Sequence, residues 1–220
     1  MFAMAKRVTI FAGHYGSGKT NIAVNYALKL KAEGQAVKIA DLDIVNPYFR
    51  TKDSAKELEQ AGIPLISPAF ANTNVDLPAL PAELYSLVQR RDSLAVMDVG
   101  GDDRGAYALG RYAPAILEEN DYEMCYVANF YRPLTPTAED ALEIMREIEA
   151  AAGIAFTAIV HNSNLGNDTT AEDITAAAKN VEELSNLSGL PILFTAAKKE
   201  LCPALSGALL PLTLQAKYYE

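Results

Sequence analysis

Val8-Thr9-Ile10-Phe11-Ala12-Gly13-His14-Tyr15-Gly16-Ser17-Gly18-Lys19-Thr20 is the stretch that decides how this chain is read. From Gly13 onward it fits G-x-x-x-x-G-K-[ST], the pattern of a phosphate-binding loop. An apolar run precedes it and a helical pattern over 21–33 follows it. That strand-then-helix context is what the pattern requires. The glycines let successive backbone N–H groups turn inward around a polyphosphate. The helix that follows aims its positive end at the same anion. Lys19 would neutralise β/γ oxygens and assist catalysis, and the Thr20 hydroxyl would meet Mg²⁺. Gly13, His14, Tyr15, Gly16, Ser17, Gly18, Lys19, Thr20 and Asn21 are therefore the candidate nucleotide-binding positions.

Outward from the loop, short apolar runs alternate with longer helical patterns. That alternation predicts an α/β fold: a three-layer sandwich with a mostly parallel, roughly seven-stranded sheet and helices on both faces. Strands are expected over 8–13, 36–43, 63–67, 93–98, 122–129, 154–161 and 192–195, and helices over 18–33, 51–61, 81–90, 106–118, 137–152 and 170–187. With 220 residues, 50% of them hydrophobic, the chain reads as a single nucleotide-binding domain over 1–220. No run approaches the ~18–20 apolar residues of a membrane span. A net charge of −9 argues against non-specific nucleic-acid binding and against anionic lipid. Cys125 and Cys202 form no C-x-x-C pair, which suits a reduced, cytoplasmic setting. Met4 is an alternative start to Met1.

The informative residues fall at the C-terminal ends of the strands, the edge at which open parallel sheets bind ligands. The second strand ends in Asp41-Leu42-Asp43. Alternate residues on a strand point to opposite faces, so one carboxylate would hold water or Mg²⁺ and the other would fix the loop. The fourth strand ends in Asp98, and Asp98 with Gly101 makes a D-x-x-G switch pattern. An aspartate there is the expected contact to hydrated Mg²⁺, and the Gly101 amide would sense a γ-phosphate. The sixth strand ends in His161-Asn162-Ser163-Asn164, without the N-K-x-D of guanine-specific switches. An Asn162 amide offers both donor and acceptor to adenine, which favours ATP over GTP.

Together these segments resemble the MinD/ParA/nitrogenase-iron-protein group of phosphate-loop ATPases, the CobQ/CobB/MinD/ParA type of nucleotide-binding domain. The similarity runs over about residues 7–195, anchored by GHYGSGKT at 13–20, DLD at 41–43, DVGGD at 98–102 and HNSN at 161–164. It implies that Asp43 orients the attacking water and contacts the metal site, that Asp98 meets hydrated Mg²⁺, that Asp102 lies near the γ-phosphate and that Asn162 touches adenine. ATP and Mg²⁺ are the implied cofactors, with slow hydrolysis driving a switch on a protein partner and a nucleotide-dependent homodimer. Three features depart from the group. His14 stands where most members carry a second lysine, with Arg50 or Arg104 as substitutes for the missing cation. The second switch lacks the iron protein's cysteine. The tail over 208–220 lacks a basic amphipathic helix and reads as core or a last strand. Two other functions share this fold. One is a carboxylate-phosphorylating enzyme of the dethiobiotin-synthetase or cobyrinate-amidating type, with substrate held around 72–74 and 104–111. The other is a GTPase metallochaperone, against which the missing N-K-x-D and the lack of a Cys/His cluster count.

Overall fold

The structure is a computed structural model that describes residues 5–43, 51–67, 82–101 and 103–214, without the side chains of 52, 53, 82, 103 and 104. Eight strands form one sheet in the order β3-β2-β4-β1-β5-β6-β7-β8. They are β1 (Val8–Ala12), β2 (Val37–Leu42), β3 (Leu65–Ile66), β4 (Leu94–Val99), β5 (Tyr122–Ala128), β6 (Ala158–His161), β7 (Ile192–Lys198) and β8 (Leu209–Leu212). Every pairing is parallel. A parallel sheet needs crossovers and coverage on both faces, so its central strands read as continuous apolar runs. All five residues of β1 are buried.

Two apolar layers flank the sheet. On one face, Ile22, Ala23, Val24 and Leu30 of α1 (Lys19–Ala32) and Leu58 of α2 (Ala55–Gln60) pack with Phe11, Ile39 and Val127. The other face is covered by α3 (Ala82–Gln89), α4 (Asp103–Gly110), α5 (Ala113–Glu119), α6 (Ala138–Ala152) and α7 (Ala171–Ser188). Leu84, Leu109, Ile116, Met145 and Val181 are their buried anchors. This is the expected three-layer sandwich, with one strand more than the seven expected.

That strand, β8, comes from the tail. Pro211 fits within it because β8 is an edge strand, where a missing N–H breaks no second ladder. The helix expected over 106–118 is instead two helices. Pro114 stands in the first turn of α5, where its absent N–H costs nothing, and Tyr112 between the helices is buried against Tyr85 with ring centroids 4.8 Å apart. The strand expected over 154–161 begins only at Ala158. Gly153 caps α6 and the Phe156 amide donates to Glu149 at 2.8 Å, so this segment completes the helix end rather than the ladder. The capping boxes Thr137/Asp140 and Thr170/Asp173 fix where α6 and α7 begin.

Register places the candidate residues together. Asp98 pairs with Asp41 across β2–β4 and with Phe11 across β1–β4, directly below the phosphate loop. Residues 44–50, 72–74 and 102 lie outside the described residues, so Asp102, Arg50 and the 72–74 part of the metabolic-enzyme reading have no structural account.

Candidate nucleotide site

Tyr15, Gly16, Gly18, Lys19, Thr20 and Asn21 border a cavity of about 340 Å³ at the C-terminal edge of the sheet. Asp43, Arg132, Asn162, Asn164, Thr169 and Lys198 add to its polar rim, and Ile174, Leu212 and Leu214 supply apolar wall. The lining runs from the phosphate loop to the ends of β7 and β8, which suits an elongated ligand with one charged end.

The loop is built by close approach. Gly18 adopts φ +91°, and a Cβ there would lie 2.3 Å from the Asn162 amide nitrogen. That nitrogen donates to the Ser17 carbonyl at 2.7 Å. Asn162 thus clamps the loop to β6 through one of the two N–H donors of its amide. Gly13 abuts the Val127 carbonyl of β5. His14 is turned back on the loop, with its Nδ1 2.9 Å from the Tyr15 carbonyl, while the Tyr15 side chain is 53% exposed.

Lys19 is buried and donates to the His14 carbonyl at 3.1 Å. The D-x-x-G segment presses on the same place. A Cβ on Gly101 would meet the Tyr15 nitrogen at 2.6 Å and the Lys19 ammonium at 2.9 Å. A bulkier residue there cannot be accommodated without moving the loop.

Three strand-end carboxylates take different positions. Asp41 accepts from the Asp43 amide at 2.9 Å, tying down the end of β2. Asp43 lines the cavity. Asp98 is fully buried, and one of its oxygens accepts the Thr51 hydroxyl at 2.9 Å while Oδ1 has no partner among the described residues. Burial pushes its carboxyl up to about 6, against the opposing pull of the Thr20 hydroxyl, the Lys19 ammonium and the Thr51 hydroxyl, with Asp43 adding to the rise. Among the described residues no group of three or more His, Cys, Asp or Glu could hold a metal by itself. A hydroxyl at Thr20, a carboxylate with a spare oxygen at Asp98 and an acid at Asp43 nevertheless fit Mg²⁺. That ion keeps several waters and binds through one or two carboxylates plus substrate phosphates.

Thr51 was absent from the sequence candidates, and Arg132 stood out only as a residue flanking a loop at the ligand edge, fit for a partner surface or lid packing. Thr51 follows a loop with no motif, and no signal could have found it. The place of Arg132 after β5, at the ligand edge of the sheet, was legible; that it lines the cavity beside the phosphate loop was not. Arg111, in the region suggested for a second substrate, is exposed and apart from the cavity lining. Cys125 is buried in β5 and Cys202 is partly buried, both as free thiols. No helix among the described residues is long and apolar enough to cross a membrane.

No family model matches the sequence, and no curated protein matches it significantly. Solved structures match in fold. FtsY from Thermotoga maritima aligns with a TM-score of 0.56 at 17% identity, over 87% of this chain and 62% of that one. Chloroplast FtsY from Physcomitrella patens gives 0.57 at 19%, over 88% and 58%. The 54 kDa signal recognition particle protein from Aeropyrum pernix, solved with GDP, gives 0.50 at 20%, over 86% and 40%. The chain thus spans about two fifths to three fifths of the length of these proteins. They are FtsY and signal recognition particle proteins, not members of the MinD/ParA/nitrogenase-iron-protein group, and the expected membership is corrected accordingly. The motifs that suggested it are a loop after β1 and carboxylates at the ends of β2 and β4. Those features follow from how any phosphate-loop sheet meets a nucleotide, so they do not separate its branches.

Proposed function

We propose that this chain is a Mg²⁺-dependent nucleoside triphosphatase that works as a nucleotide switch. The observation that carries the reading is the convergence of Lys19, Thr20 and Asp43 on one cavity, with Asp98 buried behind them and Gly101 in contact distance of the loop. Backbone N–H groups of 13–20 and the N-terminus of α1 would cradle the β-phosphate, and Lys19 would exchange the His14 carbonyl for phosphate oxygens. Mg²⁺, when bound, neutralises charge on the β/γ oxygens. Thr20 and Asp98 would hold it, and Asp43 would orient the attacking water. Because Gly101 already rests on Tyr15 and Lys19, a γ-phosphate arriving beside Lys19 must be felt by the 98–105 segment. The exposed rings of Tyr15 and Tyr107, on the loop and on α4, offer a protein partner a surface that moves with that segment.

The proposal stops at a purine nucleoside triphosphate. One N–H of the Asn162 amide holds the Ser17 carbonyl, and the choice between ATP and GTP is left to experiment. GDP in the Aeropyrum pernix structure speaks for a guanine base. Parallel titrations with ATP and GTP, with and without Mg²⁺, followed by melting temperature and phosphate release, test the reading. Ligand at 100 times its dissociation constant should stabilise by about 2.7 kcal/mol. Lys19→Ala should lose at least about tenfold in affinity. Asp43→Ala should bind near the wild-type level and lose hydrolysis by about 10²-fold or more. Failure of both nucleotides to shift the melting temperature would overturn the proposal. Gel filtration with a non-hydrolysable analogue then reads whether triphosphate drives dimer formation.

A further inference from the structure

The arginine after β5 has no role in the reading above, yet its setting asks for one. Arg132 lines the cavity, and its Nε and Cδ lie 3.7 and 3.8 Å from where a Cβ on Gly16 would stand. That Nε is buried and has no hydrogen-bond partner, and among the described residues no carboxylate pairs with the guanidinium. In a chain with 28 acidic and 19 basic residues, a half-buried guanidinium with its Nε enclosed would ordinarily find an acid. Three cations, Lys19, Arg132 and Lys198, line this cavity against the single carboxylate of Asp43 among the described residues. That excess of positive charge suits an anionic ligand.

Its position is also fixed in advance. The Arg132 amide donates to the Asn129 carbonyl at 3.3 Å, and the Thr135 amide returns to the Arg132 carbonyl at 3.1 Å. The Asn129 side chain accepts from Tyr131 and Asn164, Ser163 accepts from the Phe130 amide, and the Tyr131 hydroxyl reaches the Asp173 carbonyl at 2.8 Å. The turn is therefore bolted to the β6 loop and to α7, and the guanidinium hangs from a rigid support rather than a free loop.

We infer that Arg132 is a phosphate-reading cation supplied within the same chain, contacting the polyphosphate of the bound nucleotide beside Gly16. Gly16 has no side chain to keep the guanidinium off the loop. The planar fork of Arg132 matches phosphate oxygens in a way the imidazole of His14 does not. This rests on the nucleotide reading above, and its test separates the two.

The test is calorimetric titration of wild type, Arg132→Ala and Arg132→Lys with Mg²⁺ and whichever of ATP or GTP binds wild type more tightly, alongside melting curves without nucleotide. Arg132→Ala should lose at least about tenfold in triphosphate affinity, with its nucleotide-free melting temperature kept or raised, because a cation leaves a positive cluster. Arg132→Lys should recover part of the loss, since it restores charge without the fork. Wild type that binds while Arg132→Ala binds within twofold of it overturns this inference alone. Wild type that binds neither nucleotide overturns the nucleotide reading, and this inference with it. If Arg132→Ala does not fold, Arg132→Gln carries the same comparison.

Discussion

Gly101 shows how much one missing methyl group decides. A Cβ placed there would stand 2.6–2.9 Å from the Tyr15 backbone and the Lys19 ammonium, and of these only the lysine head can move. Adding a Cβ therefore shifts the loop itself, by a distance that hydrogen bonds to phosphate do not tolerate. Gly101→Ala is expected to lose most of the nucleotide-induced rise in melting temperature, an affinity drop of about tenfold or more. The nucleotide-free protein should melt within a few degrees of wild type, since the strain can relax toward the open cavity. Equal nucleotide affinity in Gly101→Ala and wild type, by fluorescence titration, would show that the D-x-x-G segment does not sense the loop. The pattern of Gly101 with Asp98 was readable from spacing alone. The partner of Asn162 was not: a side chain that can serve a base or a backbone carbonyl looks the same in sequence, and only packing against Gly18 decides.

At the scale of elements, α1 does more than present the loop. Asn25, on its buried face, donates to the Thr213 carbonyl at 3.0 Å and accepts from the Thr213 amide at 2.9 Å. That pair replaces a strand partner for the chain leaving β8, and it links the helix carrying Lys19 and Thr20 to the stretch whose Leu212 and Leu214 wall the far end of the cavity. Asn25→Ala should cost on the order of 1–3 kcal/mol, because it strips the Thr213 backbone of both bonds. Amide exchange at 209–214 should accelerate before any other strand. Uniform acceleration across the sheet would refute this local linkage. Strands β1, β2, β4, β5 and β7 were legible because parallel burial on both faces writes continuous apolar runs. The helix break at Tyr112 was signalled but passed over: Gly110 ends α4 and Pro114 opens α5, inside a run of Ala, Tyr and Leu that otherwise reads as one helix. The break comes from burying Tyr112 against Tyr85, a contact between elements distant in the chain. Tail strand β8 was half legible, for Pro211 hides its strand character until an edge position makes proline acceptable.

Over the whole molecule, two buried groups at the ligand edge pull stability in opposite directions with pH. Burial raises Asp98 to about 6, whereas in the unfolded chain it would titrate near 3.9. Between those values the native state holds more protons than the unfolded one, so Asp98 makes stability fall as pH rises. Burial lowers His161 to about 4 from an ordinary value near 6.5. There the unfolded state holds more protons, so His161 makes stability fall as pH drops through the same window. Each slope is at most about 1.4 kcal/mol per pH unit, so together they nearly cancel and the wild type should be flat between about pH 4 and 6. Removing either group exposes the other. Relative to wild type, Asp98→Asn should gain on the order of 2 kcal/mol at pH 7, lose that advantage toward pH 4, and lose Mg²⁺-dependent turnover. His161→Gln should show the reverse slope with turnover largely kept. Denaturant melts of the three proteins across this range check both signs, and parallel curves would show that neither group titrates as its burial dictates. If Asp98→Asn gains stability as it loses activity, the fold is holding a carboxylate that its own core disfavours, and the chemistry at the phosphate loop is what that carboxylate serves.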